Sequence, residues 1–127
     1  MKEGDVALAR LPQADGQIKP RPIVALRQMP PFSDWLVCGV STQLHQRAVG
    51  FDEVIDTTDP DFASSGLKAP SLIRLGFVAA IPSTRLLGVI GSISQDRLKR
   101  LLKDFRIICA LESSNLTAVI DRPCESC

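Results

Sequence analysis

Arg21 stands between two prolines in the stretch KPRPIVAL, residues 19–26, directly ahead of an apolar run. Pro20 fixes its own φ, and Pro22 pushes Arg21 out of the helical region into extended backbone. Pro22 also lacks an N–H, which suits the beginning of a strand or a sheet edge. The guanidinium is therefore launched from a braced backbone at a loop–strand junction. Its planar fork of donors matches two oxygens of a phosphate, including one that gains negative charge as it reacts. The plainer reading is an ion pair with a local carboxylate such as Asp15, and such surface pairs are common and weak.

A second polar group follows in CGVSTQLHQR, residues 38–47. If residues 23–28 and 35–42 pair as a hairpin, Ser41 and Thr42 emerge near the start of the first strand, close to Arg21. Gln43, His45 and Arg47 come next along the chain. Hydroxyls and amides can hold a phosphate, and a hydroxyl can pass a proton. His45 is the only histidine, and acid–base cleavage of RNA is work that an imidazole does well. No carboxylate lies nearby in sequence to orient it, so an exposed loop histidine without a task is the favoured reading.

These groups need a scaffold, and period-2 runs supply one. Residues 4–11 read as a strand with Val6 and Leu8 on one face and Ala7 and Ala9 on the other. Residues 12–20 read as a loop rich in Pro, Gly and Asp. Further strands are expected at 23–28, 35–42, 51–56, 71–82 and 86–93, with a second long loop at 57–70. From Ser94 the pattern changes. Leu98, Leu101, Leu102, Phe105 and Ile108 recur at helical spacing, Ser94 suits an N-cap, and Asp96 lies in the first turn. Arg97, Lys99, Arg100 and Lys103 are expected on the outer face. The fold expected is mainly β: a small barrel of bent antiparallel strands with an amphipathic helix over about 94–111. Residues 1–111 form one domain, and residues 112–127 form a tail to which no role is assigned.

Composition narrows the function. The chain has 127 residues, 45% of them hydrophobic and 23% charged, which is ordinary for a globular protein. No apolar run is long enough to cross a membrane, and the N-terminus lacks a secretory pattern, so the cytoplasm is expected. A net charge of +1 argues against a protein that coats DNA by bulk electrostatics, but leaves room for a local basic groove. Five Phe, one Trp and no Tyr exclude a long stacking platform and leave one or two stacking positions. Cys38 and Cys109 lie among apolar neighbours and read as small buried hydrophobes. Cys124 and Cys127 form a C-x-x-C without a second pair, so no metal site is expected. Phosphate loops, dinucleotide fingerprints, zinc-protease motifs and nucleophile elbows are all missing, so no cofactor is expected.

The ordered set GDV, KPRPIVAL, CGVSTQ and APSLIRLGFVAAIPSTRLLGVIGSIS resembles the PemK/MazF toxins of bacterial toxin–antitoxin systems over about residues 3–108. The resemblance implies an SH3-like barrel with a C-terminal helix, a homodimer whose groove binds single-stranded RNA, and a cognate antitoxin. It also implies metal-independent cleavage by the RNA's own 2′-hydroxyl, leaving a 2′,3′-cyclic phosphate and a free 5′-hydroxyl. Arg21 takes the family's arginine position and Ser41 its Thr/Ser position, with Thr42 as neighbour and Gln43 as the following Gln. Gln17 matches the preceding loop, whereas the family's acidic position there falls on Gly16. Serine at 41 lacks the methyl that would restrict a threonine hydroxyl. Lys19, Arg47, Lys68, Arg74 and Arg85 are further candidates to line an RNA groove. The alternatives on the same fold are a non-catalytic toxin of the gyrase-poison type, for which Arg21 would be dispensable, and a scaffolding barrel.

Overall fold

The computed structural model describes residues 1–12, 15–31 and 33–119; the CESC motif of Cys124 and Cys127 lies outside the described residues. Among the described residues six strands form one antiparallel sheet: β1 (Asp5–Pro12), β2 (Ile18–Met29), β3 (Asp34–Ser41), β4 (Asp52–Ile55), β5 (Ser71–Ile81) and β6 (Leu86–Ser92). A short α1 (Phe62–Ser65) follows β4, and a long α2 (Gln95–Val119) follows β6. The fold is mainly β, as the alternation predicts. No helix among the described residues is long and apolar enough to cross a membrane.

Alternation along each strand sorts apolar side chains onto two faces. Val6, Val24, Leu26, Cys38, Val40, Ile55, Ile73 and Leu75 join Ile93, Leu98 and Leu101 in one core beneath α2. Ala7, Ala9, Leu11, Ile23, Ala25, Trp35, Val37 and Ile81 form a second cluster on the other face. Cys38 lies in the first core, and burial pushes its thiol up to about 12, so it is an inert hydrophobe.

The strand order β4-β5-β3-β2-β1-β6 is open, so the sheet does not close by hydrogen bonds and β4 and β6 are its edges. Helix α1 spans the gap instead. Gly66 ends α1 at φ +75, and a Cβ there would run into the Ile90 backbone. A Cβ on Gly91 would run into the Ser64 carbonyl, and the Ser64 hydroxyl donates to the Ser92 carbonyl at 3.1 Å. Two glycines thus let backbone approach backbone across the seam.

Helix α2 starts as the sequence predicts. The Arg97 N–H donates to Ser94 Oγ at 3.1 Å, and Asp96 sits in the first turn. The helix runs past residue 111 to Val119, and no Gly or Pro interrupts it between Ser94 and Val119. Arg97 corrects the expectation of an outward basic face, because it is only 3% exposed. Its Nε and one terminal nitrogen reach the two oxygens of Asp61 at 2.8 and 3.2 Å, and the other terminal nitrogen reaches Glu53 at 2.7 Å. The start of α2 abuts β4 and the segment before α1, which together present Glu53, Asp59 and Asp61. Periodicity reports where apolar residues fall and cannot register an ion pair formed across the fold. Cys109 is exposed rather than buried, since the contacts of α2 with the core are made by Leu98 and Leu101, with Leu102 and Phe105 packed partly buried beside them.

Candidate active site

Strand β2 begins at Ile18, so Arg21 lies within a strand instead of at a loop–strand junction. Pro20, Arg21 and Pro22 face Arg10, Ala9 and Leu8 of β1. Pairing of β2 with β3 begins only at Ile23↔Gly39. The two prolines therefore occupy a stretch of β2 with β1 on one side and no paired strand on the other, where a missing N–H breaks no ladder. Continuing the Ile23↔Gly39 register by two residues puts Ser41 opposite Arg21. The strands have parted there, and an open cleft of about 440 Å³ lies between them.

Arg21, Ser41, Thr42, Gln43 and Arg74 all line that cleft, together with Leu11, Pro12, Pro22, Gly39, Val40 and Phe77. Two arginines and no carboxylate among the described lining residues give it a positive field. Ser41 Oγ accepts the Gln43 N–H at 3.1 Å, which fixes the hydroxyl oxygen and leaves its proton to donate outward. Arg74 belongs to a row of register partners, Ile23↔Gly39↔Arg74↔Asp52, across four strands. Gly39 carries no side chain in that row, and the Phe77 ring lies over it. Arg74 Nε and Asp52 Oδ1 are both buried without hydrogen-bond partners, while the other Asp52 oxygen accepts the Ala48 N–H at 2.9 Å. A buried donor and a buried acceptor of this kind cost stability until a ligand or solvent satisfies them.

The remaining sequence candidates fall outside the cleft lining. Gln17 is exposed, its N–H donating to Asp15 Oδ1 at 2.9 Å, and Lys19 is exposed on β2 opposite Leu11. His45 is exposed in the 3-10 turn Leu44–Gln46, and Arg47 follows it. Arg47 lines a separate hollow of mixed charge, with Asp52, Glu53, Asp59 and Asp104 beside Arg97 and Arg100, unlike the cleft. Lys68 is exposed after α1, and Arg85 is exposed in the 3-10 turn Ser83–Arg85. No group of three or more metal-binding side chains occurs among the described residues.

Phe77 is the cleft residue that sequence reasoning missed. Cys38 pairs with Val78 and the next residue, Gly39, with Arg74, so Leu75, Gly76 and Phe77 have no partners on β3. This bulge sends Leu75 inward to the core and Phe77 outward to the cleft. Gly76, a glycine inside an apolar strand pattern, was the available signal.

The family model described as PemK-like, MazF-like toxin of type II toxin–antitoxin systems matches residues 2–109. Among solved structures the fold is similar to the Mycobacterium tuberculosis toxin MazF-mt6, with a TM-score of 0.60 and 22% identity. The match covers 80% of this chain and 91% of that one. No curated protein matches the sequence.

Proposed function

Because the chain belongs to the PemK-like, MazF-like toxins of type II toxin–antitoxin systems, we propose that it is an endoribonuclease of single-stranded RNA that needs no metal ion. The family assigns it an antitoxin as partner. The observation that carries the reading is one cleft holding Arg21, Ser41 and Arg74 with no carboxylate among its described lining residues. A backbone phosphate fits that setting by charge and by donor geometry.

In the proposed reaction the 2′-oxygen attacks the adjacent phosphorus in line with the leaving 5′-oxygen. The 2′-O–P bond forms as the P–O5′ bond breaks. The 2′-hydroxyl gives up its proton and the departing 5′-oxygen takes one up, so the products are a 2′,3′-cyclic phosphate and a 5′-hydroxyl. Arg21 neutralises the charge that builds on the phosphorane oxygens, a contribution of about 3–4 kcal/mol for one well-placed donor. Ser41 donates to the reacting phosphate and holds it for attack. The nucleophile is intramolecular and already positioned, so activation by a metal is not required. Thr42, Gln43 and Arg74 hold neighbouring parts of the RNA, with Gln17, Lys19, His45, Arg47 and Lys68 as outlying contacts. Two copies of the chain form the working unit.

The test incubates the purified protein with a long single-stranded RNA in EDTA, beside the Arg21→Ala variant. Discrete fragments with 2′,3′-cyclic phosphate ends, absent with the variant, are expected. Intact RNA with the wild-type chain would turn the search to a protein target, as for a non-catalytic binding toxin.

A further inference from the structure

We propose that Phe77 is a stacking subsite for a nucleobase flanking the reactive phosphate, an inference that rests on the ribonuclease reading of the cleft. Phe77 is 40% exposed and belongs to neither core cluster, so its ring is not held outward by packing alone. Three features of the chain place it. Gly39 lies beneath the ring, and a Cβ there would come within 2.9 Å of Phe77 Cδ1. The unpaired Leu75–Phe77 bulge lifts the chain so that the ring reaches over β3. Arg21 and Arg74 line the same cleft as the ring.

An apolar ring face beside two guanidinium groups matches the alternation of a nucleic acid, in which a flat base follows each charged phosphate. With a phosphate between Arg21 and Ser41, an adjacent base comes within reach of the ring. Stacking accepts any base, since every base has a π-face, so the subsite adds affinity and position without fixing the sequence read. It is also the kind of isolated stacking position that a chain with five Phe, one Trp and no Tyr can still supply.

The test uses a short fluorescein-labelled RNA spanning a junction mapped in the cleavage experiment, with a 2′-deoxy sugar at the scissile position to block reaction. Abasic replacements are placed in turn on either side of the scissile phosphate, and Kd is measured for wild type, Phe77→Ala, Phe77→Leu and Phe77→Trp. One abasic position is expected to weaken wild-type binding by about 5- to 150-fold. Phe77→Ala and Phe77→Leu should lose a similar factor on intact RNA and become indifferent to that abasic position, whereas Phe77→Trp should retain both. Equal abasic penalties in wild type and Phe77→Ala would overturn the subsite while leaving the ribonuclease reading in place. A wild-type chain that neither cuts nor binds RNA would overturn both.

Discussion

At Arg21 two prolines hold an exposed guanidinium on a part of β2 that pairs with β1 and lies before the pairing with β3 begins. Removing that group takes a donor from the cleft without touching either core. Arg21→Ala should therefore lower the cleavage rate by about 100-fold or more while the melting temperature stays put. Arg21→Lys should recover little, because a point charge cannot grip two phosphate oxygens at once. The hydroxyl of Ser41 is anchored by the Gln43 N–H, so Ser41→Thr should keep activity and Ser41→Ala should lose it, measured in the same assay. Gly39→Ala reports on Phe77: the ring must shift off β3, so RNA affinity should fall with stability changed by no more than about 1 kcal/mol. That Arg21 and Ser41 come near each other was legible in the sequence, because two adjacent strand-like runs joined by a short loop bring the end of one beside the start of the other; the exact register was not, since a bulge between Ala25 and Arg27 shifts it. Phe77 was not. A bulge shifts the face on which every later residue falls, and in LGFVAA only Gly76 hints at one until the partner strand is seen.

Among the elements, the seam between the two sheet edges depends on backbone contact. Gly91→Ala places a methyl against the Ser64 carbonyl, and Gly66→Ala adds a left-handed φ to a similar clash. Each should cost about 1–3 kcal/mol in chemical denaturation, with Gly66 the worse. The same region is pinned to α2 by Arg97, and Arg97→Ala should cost about 3–5 kcal/mol because Asp61 would be left buried without its partner. Burial alone would raise the Asp61 carboxyl, but the Arg97 and Ser94 hydrogen bonds and the Arg97 charge outweigh it and hold it below its ordinary value. Its stabilising effect is thus present in full above pH 3.8, the ordinary value, and is lost as pH falls through the lower folded value. Stability measured against pH should decline below that point, and the decline should be shallower in Asp61→Asn. The strands and the start of α2 were readable because each is a local pattern of alternation or capping. The buried Arg97 was not, since its partners lie 36 and 44 residues away and only the folded topology assembles them.

For the whole molecule, α1 meets β6 only around Ile90, Gly91 and Ser92, and among the described residues no strand pairs with the outer edge of β6. Leu87, Val89 and Ile90 are 46%, 50% and 38% exposed on a strand that pairs only with β1. Exposed apolar side chains grouped on one strand are a usual signature of a partner surface, and a strand edge that a helix meets only at one end invites association with other chains. A second copy satisfies both needs at once, because a two-fold axis brings the same strand to itself. This is the surface on which the proposed homodimer would form, and it separates association from the cleft, whose lining includes no β6 residue. Sedimentation at micromolar concentration should show a dimer for the wild-type chain and a monomer for Val89→Lys, which sets two like charges against each other at the axis. If RNA lies in a groove shared by two copies, the monomeric variant should bind long RNA at least about tenfold more weakly while its Arg21 cleft is unaltered. A variant that is monomeric yet binds as well as wild type would confine RNA recognition to the single cleft, and the dimer would then serve stability alone.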